Sequence, residues 1–160
     1  MKKLLKNYLK KKNSIVNSTT NKHRLGDIGE KIVAHLENAI VSTDRYDIVK
    51  DLIDSQGKLI EVKTQNRHPS MDVFSIGADK QTNREKCMNV DRLIFVEYDS
   101  SPEIKVWECG PRQNFVRYRT NSMKNMIGWL ISEMTLIHTV NSLDLASKMR
   151  SLSQSEQFRK

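Results

Sequence analysis

Apolar residues recur along this chain with two different periods, and the periods separate helical from extended segments. Leu25, Ile28, Ile32, Leu36 and Ala39 are spaced three or four apart, which places them on one face of a helix running from Lys22 to Ile40. Gly26 and Gly29 on that helix let its start approach a sheet or a substrate backbone closely. Ala39 to Tyr46 and Asp47 to Ile53 read as strand material, and Lys58 to Gln65 reads as the next strand. Between them, Ser55-Gln56-Gly57 fits a three-residue hairpin loop with Gly57 left-handed, which pairs Asp54 with Lys58 and sets Asp51 opposite Glu61.

Asn66 to Ser70 is a polar loop, Val73 to Ile76 a short strand that extends the sheet, and Ala78 to Cys87 a polar helix. Asp91 to Tyr98 and Ile104 to Cys109 are strongly strand-like, joined by a turn at Asp99-Ser100-Ser101-Pro102. Trp107 on the second of these strands is expected to pack in the core. Gly110 to Arg119 is loop-like. The final third predicts two helices, Ser122–Thr139 on Met126, Ile127, Leu130, Ile131, Met134 and Ile137, and Ser142–Leu152 on Leu143, Leu145, Ala146, Met149 and Leu152. The expected architecture is an α/β domain, a central mixed β-sheet flanked by helices. A basic N-terminal arm (1–22) precedes one domain (23–160) with a core over 23–110 and a C-terminal helical part over 120–158.

Strand side chains alternate, so Glu61 and Lys63 share one face while Ile60 and Val62 share the other. Under the three-residue loop, Asp47 and Asp51 also share a face. Directly opposed residues have Cβ atoms about 4.5–5.5 Å apart, and two acids that close repel unless a cation lies between them. Hard divalent ions take carboxylate oxygens. Asp51 or Asp47, together with Glu61, therefore suits Mg²⁺ or Mn²⁺, with Lys63 at the edge to orient or deprotonate a water or to neutralise a phosphate. The ordinary alternative is a solvated Glu-x-Lys ion pair with little energetic consequence.

The ordered set of helical glutamate, acidic strand, glycine turn and Glu61-Val62-Lys63 resembles the PD-(D/E)XK nuclease superfamily, whose pattern is an acid, a hairpin, then acid-x-lysine. Leu25-Gly26-Asp27-Ile28-Gly29-Glu30 looks like its helical motif, with Glu30 in the matching place. The resemblance covers residues 24–65, and no proline precedes the first acid. Tyr46-Asp47 and Lys50-Asp51 compete for that role. The likeness implies a restriction-endonuclease-like core and a metal-dependent endonuclease that hydrolyses DNA phosphodiester bonds, of phage, restriction, homing or junction-resolving kind. It also implies Asp51 or Asp47 and Glu61 as metal ligands, Lys63 positioning the nucleophile, and Glu30 supporting a second ion or its water.

Net charge supplies a second pointer, because +8 with a pI of about 9.5 favours a polyanionic partner. Lys2, Lys3, Lys6, Lys10, Lys11, Lys12, Lys22 and Arg24 all precede Asp27, the first acid. Such an arm tracks a phosphate backbone, each contact steepening the salt dependence by about 0.9 in the log–log slope, or is simply a solvated basic tail. Candidate DNA contacts are Lys10, Lys11, Lys12 and Arg24 from the arm, Gln65 and Arg67 beside the site, Lys80, and Arg112, Arg117 and Arg119 interleaved with Phe115 and Tyr118. One site per chain makes a homodimer the simplest way to cut two strands, with the C-terminal helices as the expected interface. No apolar run approaches the roughly 18 residues that span a bilayer, and no secretory leader is legible, so an intracellular, cytoplasmic protein is expected. Cys87, Cys109 and the four histidines have no zinc-ligand spacing. Two alternatives stand beside a linear-DNA endonuclease: a nuclease selective for branched DNA, and a basic nucleic-acid-binding protein that does not cut.

Overall fold

Helix α1 (Lys22–Glu37) follows its apolar stripe and stops at Asn38. Asn38 takes a left-handed φ of 54°, and the Ala39 N–H donates to the Ala34 carbonyl at 2.9 Å. This is the Schellman closure of a helix end, which satisfies a carbonyl that would otherwise be open. The chain is seen as a computed structural model that describes residues 22–41, 51–67, 70–98 and 101–148. The arm with Lys10, Lys11 and Lys12, the candidate Asp47, the side chain of Arg24, and the chain beyond 148 lie outside the described residues.

Strands β1 (Ile40–Val41), β2 (Leu52–Ile53), β3 (Leu59–Gln65), β4 (Val73–Ala78), β5 (Arg92–Tyr98), β6 (Glu103–Cys109), β7 (Val116–Arg119), β8 (Asn125–Leu130) and β9 (Met134–Asn141) follow α1, with helix α2 (Gln81–Met88) between β4 and β5. A last helix, α3, is described over 142–148. Six strands form one sheet in the order β1-β2-β3-β5-β6-β9, and the other three form a second sheet in the order β4-β8-β7. The large sheet is mixed, since β3 and β5 run parallel while its other neighbours run antiparallel. A parallel neighbour requires a crossover, here supplied by β4 and α2. The α/β architecture with a central mixed sheet and flanking helices is as the sequence leads one to expect.

Each face of the large sheet carries its own core. Ile60, Val62, Ile94, Val96, Ile104 and Val106 meet Ile28, Ile32, Val33 and Leu36 of α1, with Leu145 of α3. On the opposite face Leu93, Phe95 and Trp107 pack with Phe74, Cys87, Trp129 and Met134, and the rings of Phe74 and Phe95 stand 4.9 Å apart. The pairing of Glu61 with Leu93 and of Lys63 with Phe95 puts both motif side chains on this aromatic face. Trp107 is a packing residue, as expected, and its indole N–H donates to Glu97 at 2.8 Å.

An ionic cluster pins the far end of α1. Arg92 donates to Glu108 at 2.7 and 3.0 Å and to Glu37 at 2.7 Å, while His138 Nε2 lies 2.5 Å from the other oxygen of Glu37. The helix is thereby tied to β5, β6 and β9.

Three expectations need correction. Residues 122–139, expected as a helix, form β8 and β9 with a short 3₁₀ turn at Ile131–Glu133, so the C-terminal helical part begins only at Ser142 and no helix exists at 122–139 to make a dimer interface. The apolar run from Met126 to Met134 satisfies both periods, and tertiary packing chose between them. Gly128 decides it locally: a Cβ there would lie 2.2 Å from the Phe74 carbonyl oxygen, so β8 approaches β4 more closely than a side chain allows. Val73–Ile76 does not extend the large sheet but joins β8 in the small one. Gly110–Arg119 contains a 3₁₀ turn at Arg112–Asn114 and then β7, which pairs with β8. Among the described residues no helix is long and apolar enough to cross a membrane.

Candidate functional site

The site is built on the β2–β3 hairpin, and local turn chemistry sets its register. Asp54 Oδ1 accepts from the N–H groups of Gln56 and Lys58, both at 2.9 Å, and the Asp54 N–H donates to the Lys58 carbonyl at 3.0 Å. Gly57 takes the left-handed φ of 77° that closes the loop. The ladder then pairs Ile53 with Leu59 and Leu52 with Ile60, the register expected from the turn.

Beyond Leu52 the chain bends. The Asp51 N–H donates to the Ile60 carbonyl at 3.0 Å, and its carboxylate Oδ2 accepts from the Val62 N–H at 2.8 Å. Because β2 is only two residues long, β3 has no strand partner at Val62 on the side away from β5, and a side-chain carboxylate satisfies the N–H instead. The bend brings Asp51 beside Glu61 at the open edge of β3.

Glu61 is fully buried, at 0% exposure. Its Oε1 is held by Lys63 and, at 3.1 Å, by Lys86 of α2; its Oε2 is buried with no hydrogen-bond partner. Lys86 Nζ also lies 3.9 Å from Asp51 Oδ1. Burial pushes the Glu61 carboxyl above its usual range and Asp51 adds to the rise, against the pull of Lys63 and Lys86. Burial alone would lower the Lys86 ammonium, but Glu61 and Asp51 outweigh it and raise it.

Glu30 of α1 lies within electrostatic reach of this pair. Burial and then the charges of Asp51, Asp27 and Glu61 push its carboxyl up to about 7, opposed by Lys86. It reaches this position because Gly29 lets the helix lie directly on Thr64 of β3: a Cβ at Gly29 would fall 1.8 Å from Thr64 Oγ1. Gly26, the other glycine expected to allow close approach, has nothing within 4 Å. Cys87 adjoins the site from α2, and burial raises its thiol to about 11, so it stays protonated and inert.

The donor set fits a hard divalent cation. Asp51, Glu61 and Glu30 supply oxygen only, and the orphaned Glu61 Oε2 is a buried acceptor that an ion or its water would satisfy. Among the described residues no three His, Cys, Asp or Glu side chains are already grouped as a ligand cage. Lys63 and Lys86 provide the positive charge instead.

The expected DNA contacts divide in two. Gln65 continues β3 on the same face as Glu61 and Lys63, with its Nε2 buried and unpartnered. Arg67 donates through Nε to Glu97 at 3.0 Å and lies 5.7 Å over the Phe74 ring, which ties its guanidinium to the fold. Lys80 is exposed just before α2, Arg112 opens the 3₁₀ turn, and Arg117 and Arg119 are exposed on β7. Arg117 donates to Asp79 at 2.9 Å and covers the Phe115 ring at 4.9 Å. These four belong to the small sheet and its approaches.

Lys86 is the site residue that motif reasoning does not assign. Its helix is legible in the sequence, but its nearness to Glu61 comes from the crossover that returns the chain parallel to β3. Neither the family models nor the curated proteins compared with this chain match it, so its function is read from residues and geometry.

Proposed function

We propose that this chain is a Mg²⁺- or Mn²⁺-dependent endonuclease that hydrolyses DNA phosphodiester bonds through a PD-(D/E)XK-type site. The observation that carries the reading is the convergence of Asp51 and Glu61, from the two arms of one hairpin, with Lys63 on Glu61 and one ammonium, Lys86, beside both acids. Asp51 and Glu61 would hold the ion. When bound, a divalent cation supplies positive charge against the phosphate and makes water a better nucleophile. Lys63, on the same strand face as Glu61, orients the attacking water or stabilises charge on the phosphate. Glu30 supports a second ion or its water from the helix side. Net charge of +8, with Lys80 and Arg119 exposed, favours a polyanionic substrate. One site per chain favours a homodimer for cutting both strands.

Conversion of supercoiled plasmid to nicked or linear forms tests this, with Mg²⁺ against EDTA and wild type against Glu61→Ala. Cleavage that needs both the metal and Glu61 is expected. The same assay on branched and linear duplexes separates a structure-selective enzyme from one acting on linear DNA. A second reading draws on the two lysines that neutralise Glu61: a structural ion cluster in a basic DNA-binding protein. It requires that wild type bind DNA without cutting any of these substrates, and that Glu61→Ala leave binding intact.

A further inference from the structure

Two lysines meet one oxygen of Glu61, and they are not equivalent. Lys63 sits two residues along the same strand, so its proximity to Glu61 comes from strand geometry. Lys86 arrives from a separate helix and bridges both acids, with Nζ 3.1 Å from Glu61 Oε1 and 3.9 Å from Asp51 Oδ1. We propose, on the strength of the nuclease reading, that Lys86 is the internal counter-cation of the metal-free site: it occupies the place between Asp51 and Glu61 that a divalent cation takes, and loading expels it toward the DNA phosphate.

Charge balance favours a displacement of this kind. Asp51 and Glu61 carry two formal negative charges against the two positive charges of Lys63 and Lys86, so the acid pair is balanced before any ion enters. A dication added with both ammonium groups in place would leave a surplus of positive charge around a fully buried carboxylate. Withdrawal of one ammonium lowers that surplus.

Lys86 has the freedom to do so. Cys87, the next residue, is 1% exposed and fixes α2 in the aromatic core. The helix is therefore held while the Lys86 side chain, 29% exposed, has a path to solvent. Its four-carbon stem and compact ammonium suit a group that swings between partners. The buried, unpartnered Glu61 Oε2 points the same way. Lys86 satisfies only one oxygen of Glu61, leaving an acceptor that an ion between the acids can use and an ammonium on one side cannot.

The test is calorimetric titration of the full chain with Mn²⁺ in the absence of DNA, for wild type, Lys86→Gln, Lys86→Met and Lys86→Arg, each checked for fold by circular dichroism. Both neutral variants are expected to bind Mn²⁺ about tenfold more tightly, as one competing unit charge beside two acids is removed, and Lys86→Arg to stay near wild type. Loss of an ion pair that does not face the ion would not tighten metal binding. Neutral variants that bind Mn²⁺ no better than a wild type whose binding depends on Glu61 overturn this inference and leave the nuclease reading standing. A wild type that binds no Mn²⁺, with Glu61→Ala indistinguishable from it, overturns both.

Discussion

A methyl group at Gly29 has no space to occupy. The Cβ of Gly29→Ala would lie 1.8 Å from Thr64 Oγ1, 3.0 Å from Thr64 Cβ and 3.2 Å from Thr64 Cγ2. Rotation of the hydroxyl relieves only the first of these, because a β-branched side chain on a strand has few alternative rotamers. Gly26, one turn earlier in α1, provides an internal control, since nothing lies within 4 Å of its position and neither glycine has a positive φ. Alanine in a helix interior is better than glycine by about 1 kcal/mol, so Gly26→Ala is expected to gain up to that amount. At Gly29 the same gain is opposed by overpacking of about 1–3 kcal/mol, with the upper end favoured by a 1.8 Å approach. The expected net loss is about 1–2 kcal/mol, or a Tm lowered by about 2–8 °C in a chain of this size. Thermal and urea unfolding of both variants measure this. A double-mutant cycle with Thr64→Ala, which removes Oγ1 and Cγ2, is expected to recover at least about 1 kcal/mol of the loss. Because Glu30 is the next residue, a helix pushed away from β3 also carries Glu30 away from Asp51 and Glu61. Gly29→Ala should therefore lose cleavage that Gly26→Ala keeps. Equal stability of the two variants, or no coupling to Thr64, would refute this account of how α1 is seated.

Two carboxyls should make stability depend on pH, with opposite signs. Burial pushes the Glu37 carboxyl up, but hydrogen bonds from His138 and Arg92 outweigh it and hold the group below its usual 4.5; the stability it contributes is full above that value and is lost as pH falls through the depressed one. Glu37→Gln should flatten the acid limb of a Tm profile taken from about pH 6 to 3, and an unchanged acid limb would show that the cluster at Arg92 contributes nothing to folding. Glu30 behaves the other way: with its carboxyl raised from 4.5 to about 7, the folded state holds the extra proton between those values, so metal-free stability falls as pH rises across them. Glu30→Gln is expected to be more stable than wild type at alkaline pH by about 1–2 kcal/mol, the full shift being discounted because the carboxyl is half-exposed, and to cleave less. A variant less stable than wild type in EDTA would sink that reading.

The elements legible in the sequence are those set by interactions a few residues long. The α1 stripe, the Asp54–Gly57 turn with its register, and the apolar strands β5 and β6 are all of this kind, whereas the stop of α1 at Asn38, short of the expected Ile40, was not. The same turn is why Asp51 and Glu61 are a readable pair, since a hairpin loop and the alternation of side chains are enough to bring them together. Residues 126–134 were not readable, because their apolar positions suit either period. Close approach of β4 at Gly128 and the packing of Trp129 on Phe95, with ring centroids 6.3 Å apart, fixed 126–130 as strand, with the 3₁₀ turn at 131–133 leading into β9. The partners of Arg67 and Lys86 were equally out of reach: Glu97 and Glu61 lie far along the chain from them and become neighbours only when β5 returns parallel to β3. Local backbone preference determined the hairpin and the acids on it, whereas burial of two separate cores on the two faces of one sheet determined which distant charges surround those acids.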